Sequence, residues 1–455
     1  MAQASPTLVR TLGLRSVVLF GLAYMTPIIV LGIFGIIAEV TGGATPSAYL
    51  LALVAMLFTA FSYGRMAEAF PLAGSAYTYV RKCIDSRAGF LVGWAVLLDY
   101  FFLPMVIWLF GAVYLQAKFP DVPFGVWVLA FIVTTTALNV IGVKAAAKVN
   151  FFLMAFQVLV LVLFVGLSLA HVFQADGAAG LVVSHPFVNS STTWAGISAG
   201  AAIAAYSFLG FDAVTTLTEE TIDPRRTIPR AIMLTALIGG GIFVVVAYTT
   251  QLVHPGGEFT DSASAAFDIA QEIGGDIFGS VFLAGLVMAQ YASGLAAQAS
   301  VSRLLFAMGR DNVLPRKFFA FVHPKYHTPV LNLVLSGAVG LLALWFDPAT
   351  STSFINFGAF TAFTFVNLSV IGFFLRERRA GTSRNPWAYV VAPAFGALID
   401  LWLLTQLDRN AITLGLGWLA LGVIYLGVMT KGFRSPPPEM EFTEDVEIAL
   451  PVHGG

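Results

Sequence analysis

Long apolar runs dominate the sequence, and each is bounded by charged or turn-forming residues. A helix that crosses the roughly 30 Å hydrocarbon core of a bilayer needs about 20 apolar residues. Twelve runs approach or exceed this length, at about 16–38, 47–69, 88–116, 124–141, 148–172, 195–218, 231–252, 277–307, 330–346, 352–374, 388–405 and 411–430. Only 11% of the residues are charged, against about 25% in soluble globular proteins. We therefore predict an all-α membrane protein with twelve transmembrane helices.

The basic residues test this helix count, because cytoplasmic loops near membrane helices accumulate Lys and Arg. If the N-terminus is cytoplasmic and the helices alternate in direction, 22 of the 24 basic residues fall in cytoplasmic segments. Only Lys118 and Arg409 fall on the opposite side. The first run carries no small-residue cleavage site and is predicted to be retained as a helix. We predict a multi-pass protein of the cell (inner) membrane, in contact with the lipid bilayer, with both termini cytoplasmic.

The segments outside the membrane are too short for an enzyme domain. Residues 1–15 form the predicted cytoplasmic N-terminus, and the Pro-rich, acidic residues 431–455 are predicted to be a disordered cytoplasmic tail. The acidic loop 254–275 is expected to form a short external helix. A net charge of −1 offers no basic surface for nucleic acid, and one cysteine excludes an internal disulfide. We expect no cofactor, no metal site and no ATP-binding loop.

The sequence predicts that two helices are interrupted at membrane depth. In the first, Pro27 removes a backbone donor and clashes with the preceding turn. In the sixth, Gly210 and Asp212 lie together in the apolar run. Unwound backbone is tolerated at this depth where it lines a cavity or is satisfied by protein, and interruptions at matching positions of two halves indicate a transporter's binding site. The alternative is a packing kink, since Gly and Pro are common in membrane helices.

Ionisable residues within the membrane are costly and are candidates for function. Asp99, midway along the third helix, and Asp212 are each expected either to pair with an ammonium group, to relay a proton, or to accept structural hydrogen bonds. Glu219 and Glu220 end the predicted sixth helix. Two interpretations are open for them: a role in an inner gate, and an ordinary ion pair with a neighbouring loop residue. Ser293 in the eighth helix offers a hydroxyl to sodium or to helix packing. The six histidines all lie at helix ends, in loops or in the tail.

Several stretches of the chain resemble the amino acid/polyamine/organocation (APC) superfamily of permeases, and within it the bacterial putrescine importers. These stretches are GLAYMTP (21–27), SYGRMAEAFPLAGSAYTYV (62–80), GWAVLLDYFFLPM (93–105), SFLGFDAVTTLTEET (207–221), SVSRLLFAMGRDNVLP (300–315) and FINFGAFTAFTFVNLS (354–369). The resemblance implies a five-plus-five inverted-repeat (LeuT-like) transporter fold. Its first repeat would span 16–172 and its second 195–374, with two further helices at 388–430.

The resemblance also implies which residues contact the substrate. Carried onto matching positions, the expected contacts are Tyr24, Met25, Thr26 and Pro27 at the first break, Tyr100, and Ser207, Phe208, Leu209, Gly210, Phe211 and Asp212 at the second. Two positions differ from the family pattern. Gln157 stands where proton-driven relatives carry a lysine, which leaves the coupling ion open. Gly32 stands where putrescine importers carry a carboxylate. Because a diamine needs a counter-charge at both ends, this difference counts against putrescine and favours a monoamine or an amino acid.

We therefore predict a secondary active transporter that imports putrescine, another polyamine or an amino acid by alternating access, coupled to protons. The substrate ammonium is expected near Asp99, Asp212 and freed carbonyls, with aromatic side chains around its carbon chain. The carboxylate of an amino acid would meet freed N–H groups near Thr26 and Ile28. A monoamine or neutral amino acid permease or exchanger, with sodium or no ion coupling, remains the alternative; a channel is a remote one. The chain is expected to be a monomer or dimer.

Overall fold

The computed structural model describes residues 11–71, 75–141, 146–219, 221–310, 313–326 and 328–438. In this part of the chain, eleven helical segments are long and apolar enough to cross a membrane, and Val330–Leu344 is a shorter apolar one. Helix occupies the position of each of the twelve predicted spans. The predicted all-α membrane fold is confirmed, and the ninth span is the one that falls short of the usual membrane-spanning length.

The helices follow the predicted runs closely, with bends and breaks at glycine and proline. In chain order they are α1 Leu14–Met25, α2 Ile29–Gly32, α3 Phe34–Thr41, α4 Thr45–Ala69, α5 Ser75–Cys83, α6 Ser86–Lys118, α7 Phe124–Ile141, α8 Ala146–Gly180, α9 Trp194–Ala204, α10 Pro224–Val253, α11 Ala265–Arg310, α12 Arg316–Phe319, α13 Val330–Gly340, α14 Pro348–Arg379, α15 Ala392–Thr405 and α16 Arg409–Met429. Three 3₁₀ segments (Ala205–Phe208, Asp212–Glu219 and Leu341–Leu344) and a π-helical turn (Trp387–Val391) extend α9, α13 and α15.

The predicted external helix in the acidic loop is the first part of α11. Gly275, whose φ of 68° and ψ of −173° are not helical, separates this part from the helix of the eighth span. Glycine adopts such a conformation without steric cost, so the chain can change direction there. The residues before Gly275 therefore form a short helix of their own, as predicted for this loop.

Contacts between distant segments define the two ends of the bundle. At one end, which we name the basic end, the Ile222 N–H donates to the Leu12 carbonyl over 2.9 Å, Arg87 donates to the Phe433 carbonyl over 2.6 Å, and Arg376 donates to the Lys82 carbonyl. At the other, Asn189 donates to the Gly42 carbonyl over 2.9 Å and Ser47 to the Phe187 carbonyl over 2.7 Å. The short helix α5 lies at the basic end and does not cross the bundle.

Packing of the helices leaves an apolar outer surface. Side chains such as Val133, Leu398 and Ile424 are more than 60% exposed, although they belong to apolar helices. Large exposed apolar patches are rare on soluble monomers, whereas hydrocarbon covers such a surface in a bilayer. Inside the bundle, α4 packs along α10, and α6 packs between α11 and α14. These inner helices enclose the broken segments of the first and sixth spans.

Candidate functional site

The first span is interrupted between α1 and α2. Thr26 adopts a left-handed conformation with φ of 50°, and its N–H donates to the Ala23 carbonyl over 3.2 Å. The helix resumes when the Ile29 N–H donates to the Thr26 carbonyl over 2.9 Å. Pro27, which follows Thr26, has no N–H to continue the helical ladder. The proline therefore marks the break, and the Thr26 N–H is already in use and not freed for a ligand.

A second interruption in the same span follows Gly32. The hydroxyl of Tyr114, on α6, donates to the Leu31 carbonyl over 2.9 Å and approaches the Gly32 carbonyl at 3.4 Å. Gly32 itself is buried. A buried carbonyl without a partner would be destabilising, so Tyr114 stabilises this irregular segment from a neighbouring helix.

The sixth span changes from α-helix to 3₁₀ helix and then turns. The turn is centred on Gly210, whose φ of 106° is a conformation that L side chains rarely adopt. The N–H groups of Phe211 and Ala213 donate to the carbonyls of Phe208 and Gly210 over 3.2 and 3.1 Å. Local hydrogen bonds therefore already engage these carbonyls, which makes them weaker candidates for an ammonium than the sequence suggests.

Asn356 of α14 supports this break from outside the span. Its side-chain Nδ2 donates to the carbonyls of Ala202 and Ile203 over 2.7 and 3.4 Å, at the point where α9 ends. Asn356 is completely buried. Sequence reasoning missed this residue, and the available signal was an amide side chain within an apolar helical run, which also contains Asn367.

The two breaks lie against each other. A Cβ atom at Gly210 would lie 2.2 Å from Cδ1 of Tyr24, so the ring of Tyr24 occupies the space that a side chain would need. Together the breaks border a cavity of about 350 Å³, which is within the size range of small-molecule sites. The cavity also touches α6, α8, α11 and α14.

Ten of the predicted site residues line this cavity. They are Tyr24, Met25, Thr26, Asp99, Tyr100, Gln157, Leu209, Gly210, Asp212 and Ser293. The predicted contacts absent from the lining are Pro27, Ile28, Ser207, Phe208 and Phe211. Glu219 ends the second 3₁₀ segment, and Glu220 lies outside the described residues. The structure thus brings the two breaks and both predicted acids to one cavity.

The predicted contacts that do not line the cavity pack into the protein. The Ser207 hydroxyl lies 3.0 Å from the Tyr49 hydroxyl. Phe208 and Phe211 are completely buried, and Phe208 packs edge-on against Phe243 with ring centroids 5.1 Å apart. Phe211 lies 5.9 Å from the ring of Tyr63. In this conformation both phenylalanines support the break and do not face the cavity.

The two cavity carboxylates differ in how well they are satisfied. Asp212 accepts a hydrogen bond from the Tyr63 hydroxyl at 3.4 Å, and the backbone at Gly210 and Ala213 also hydrogen-bonds its carboxylate. Oδ1 of Asp99 is buried and has no hydrogen-bond partner among the described residues. A buried carboxylate oxygen without a donor is costly. Asp99 is therefore the carboxylate with an oxygen left for a cationic ligand.

The cavity extends toward the basic end along one face of α11. Residues Ser293, Ala297, Ser300 and Arg303 all line it, and their spacing of three or four places them on the same face of the helix. Arg303 is exposed, whereas the cavity-lining Ala297 is 9% exposed. Sequence reasoning missed Arg303, although its spacing from Ser293 on the eighth helix could have indicated it.

Comparison with known proteins places this architecture in a family. The amino acid permease family model matches residues 16–398. The low-affinity putrescine importer PlaP of Escherichia coli K12 is 43% identical over 434 residues, which cover 95% of this chain and 96% of that protein. The branched-chain amino acid permease BcaP of Bacillus subtilis is 26% identical, with 92% of each chain covered. A methylthioribose transporter of the same species is 26% identical over 94% of this chain and 93% of its own. These relatives are named as transporters and permeases, and the chain belongs to the amino acid permease family, within the APC superfamily.

Proposed function

We propose that this chain imports a small amine-bearing solute across the inner membrane by alternating access, and that a diamine of the putrescine class is its first candidate substrate. The observation that carries the proposal is the pair of carboxylates, Asp99 and Asp212, in one cavity beside two broken helices. Two negative charges match the two ammonium groups of a diamine. The 43% identity to a putrescine importer supports the same substrate class.

Gly32 weighs less against a diamine than the sequence suggests. This residue is buried and does not line the cavity. A carboxylate missing from position 32 therefore removes no charge from the cavity in this conformation. Asp99 and Asp212 suffice as counter-charges for both ends of a diamine.

Aromatic side chains in the cavity suit the rest of such a substrate. Tyr24 and Tyr100 line it together with Tyr206. Tyrosine rings pack against methylene groups, and their faces attract an ammonium group. The ammonium group of the substrate would then supply the donor that Oδ1 of Asp99 lacks, while the rings enclose the carbon chain.

An amino acid is the second candidate substrate, and Arg303 is the observation that favours it. Its guanidinium group, at the basic-end part of the cavity lining, is a suitable partner for a carboxylate. The Thr26 N–H, which the sequence suggested for this role, already donates to the Ala23 carbonyl. The identity to a branched-chain amino acid permease, at 26%, gives this candidate weaker support.

The contacts at the two ends support an alternating-access cycle. Opposite the basic end, a Cβ atom at Gly43 would lie 2.6 Å from the Gly256 backbone, and Thr45 donates to Gln251 over 2.8 Å. The cavity instead extends toward Arg303 at the basic end. With the basic end in the cytoplasm, as its charge favours, this conformation faces inward and import requires a second, outward-facing conformation.

Coupling to protons is part of the proposal. Gln157 lines the cavity where a lysine would stand in proton-driven relatives, and its amide does not titrate at physiological pH. A coupling proton must therefore bind elsewhere, and carboxylates are the natural groups to carry it. Sodium coupling, with hydroxyls such as that of Ser293 as ligands, is the alternative to proton coupling. The transport assay distinguishes the two.

Uptake into proteoliposomes tests the proposal. Radiolabelled putrescine, leucine and butylamine are offered to the purified full-length protein under an inward proton gradient, an inward sodium gradient or neither. We expect saturable putrescine uptake that the proton gradient increases and the sodium gradient does not. Leucine uptake without putrescine uptake would favour the second candidate. The absence of saturable uptake of any amine under either gradient would overturn the proposed function.

A further inference from the structure

A third buried acid, Asp400 on α15, lies outside the cavity. Asp400 accepts hydrogen bonds at Oδ2 from the Thr59 hydroxyl over 2.7 Å and from the Asn367 amide over 2.9 Å. The Ser62 hydroxyl donates to Oδ1 of Asn367 over 2.5 Å. All four side chains, which we name the Asp400 cluster, are fully buried. They join α4, α14 and α15 through side-chain hydrogen bonds alone.

The Asp400 cluster lies at membrane depth. Thr59 precedes the end of α4 at Ala69 by ten residues, which corresponds to about 15 Å along the helix. Asn367 precedes the end of α14 at Arg379 by twelve residues, or about 18 Å. Both helices end at the basic end, so Asp400 sits well inside the bundle, where an uncompensated carboxylate is costly.

No cation among the described residues pairs with Asp400. The elements packed against α15 are α4, α9, α14 and the π-helical turn. Their titratable or charged side chains are Tyr49, Tyr63, Arg65, Glu68, Arg376, Glu377, Arg378, Arg379 and Tyr389. Arg65 pairs with Glu68 over 3.1 Å and lies over the Tyr389 ring. The four charged groups of α14 follow Asn367 by at least two helical turns, toward the basic end.

The hydrogen bonds within the cluster favour a proton over a metal ion as the missing positive charge. Oδ1 of Asp400 has no hydrogen-bond partner among the described residues. The other oxygens of the cluster hydrogen-bond one another directly, and a cation would have to break these contacts to collect several oxygen ligands. One proton on Oδ1 neutralises the carboxylate without moving any of them.

The Asp400 cluster is linked to the cavity through two helices. On α14, the Asn367 amide donates to the carbonyl of Phe363 over 3.1 Å, and Phe363 lines the cavity. On α4, Ser62 precedes Tyr63, whose hydroxyl donates to Asp212. The rings of Tyr63 and Phe363 are themselves in edge contact, with centroids 6.0 Å apart. A change in the charge of Asp400 can therefore reach both walls of the cavity.

We propose that the Asp400 cluster binds the coupling proton of this transporter, apart from the substrate carboxylates. A proton from water outside the cell adds to Oδ1 of Asp400 to form the neutral carboxylic acid, and the same proton returns to water on the cytoplasmic side. Neutralisation lets α4, α14 and α15 keep the packing seen here, while ionisation strains it. This inference rests on the proposed proton-coupled amine uptake.

Asp400→Asn tests the proposal, because asparagine resembles the protonated acid and cannot release a proton. Two readouts in proteoliposomes separate substrate movement from coupling: exchange of labelled for unlabelled putrescine, and accumulation driven by a proton gradient. We expect exchange within about twofold of wild type and loss of accumulation above the external concentration. Asp121→Asn, in an exposed loop, should retain both activities.

Accumulation by Asp400→Asn equal to that of wild type would overturn the assignment of the proton to Asp400 and leave the proposed function standing. Exchange without gradient-driven accumulation in wild type would instead overturn the proposed coupling. Failure of wild type in both readouts would overturn the proposed function itself.

A second variant decides the matter if Asp400→Asn does not fold. Thr59→Val removes a donor that stabilises the ionised carboxylate more than the neutral acid. The external pH at which accumulation is half-maximal should then rise by about one pH unit. Thr135→Val, whose buried hydroxyl donates to carbonyls of its own helix, should leave the profile unchanged. A Thr59→Val profile identical to that of wild type would overturn the proposal.

Discussion

Replacing Gly210 by alanine should disrupt the contact between the two broken spans. Gly210 has a φ of 106°, and an added Cβ would lie 2.2 Å from Cδ1 of Tyr24. Carbon atoms in contact prefer about 3.5–4.0 Å, so the overlap exceeds 1 Å. Tyr24 is 37% exposed and lines the cavity, so a displaced ring changes the cavity's shape. The substitution therefore changes both the backbone of the sixth span and the wall of the cavity.

The free-energy cost of Gly210→Ala has two parts, which add because the backbone strain and the steric overlap occur at the same residue. A non-glycine residue in a disfavoured backbone conformation costs about 1–3 kcal/mol, and forced repacking against a filled space costs about 1–3 kcal/mol more. Even the lower sum of about 2 kcal/mol corresponds to a loss of about thirtyfold in affinity if it falls on the binding conformation. We expect a rise of at least this size in the KM for putrescine and a lower thermal unfolding temperature.

The assay compares putrescine uptake and thermal unfolding for Gly210→Ala with those for Gly166→Ala. A Cβ at Gly166, on α8, meets no atom within 4 Å, so this control should behave as wild type. In thermal unfolding, adding Tyr24→Ala to Gly210→Ala should relieve the steric part of the destabilisation and leave the backbone part. Wild-type KM and unfolding temperature for Gly210→Ala would refute the close approach of the two breaks.

Three further predictions follow from residues outside the cavity. Asn356→Leu leaves the Ala202 carbonyl without its donor and should destabilise the protein by about 1–3 kcal/mol in thermal unfolding. Burial raises the pKa of the Cys83 thiol to about 11, so alkylation should be slow at pH 8, where about 0.1% is thiolate, and should accelerate as pH rises or on denaturation. A membrane-impermeant maleimide should label Val182→Cys in intact cells, and Phe433→Cys only after permeabilisation; the reverse would contradict a cytoplasmic basic end.

Hydropathy and charge were sufficient to predict the membrane spans, because the length of an apolar run and the charge of a loop are both read directly from the sequence. The two breaks were also predictable, since Pro27 and Gly210 act on their own backbone. The orientations of Phe208 and Phe211 were not, because a 3₁₀ turn rotates successive side chains differently from an α-helix. Their burial depends on rings from other helices, which no local pattern encodes.

Asp400 shows a different limit of sequence reasoning. It lies within the predicted eleventh span. Because its neighbours are apolar, the run was predicted as an ordinary membrane helix and the acid in it was not singled out. Its partners Thr59 and Asn367 are more than 30 positions away along the chain. A search for every acid inside a predicted span would have found the residue, but only the fold could show that it lies apart from Asp99 and Asp212.

The central claim is that cavity carboxylates bind the substrate ammonium groups, and titration calorimetry of putrescine binding tests it most directly. Asp99→Asn should weaken binding by about tenfold to a hundredfold, because Oδ1 of Asp99 has no other partner among the described residues. Asp212→Asn should weaken it less, since Tyr63 and the backbone already satisfy that carboxylate in part. Asp121→Asn should bind as wild type. Wild-type affinity in both Asp99→Asn and Asp212→Asn would contradict the account.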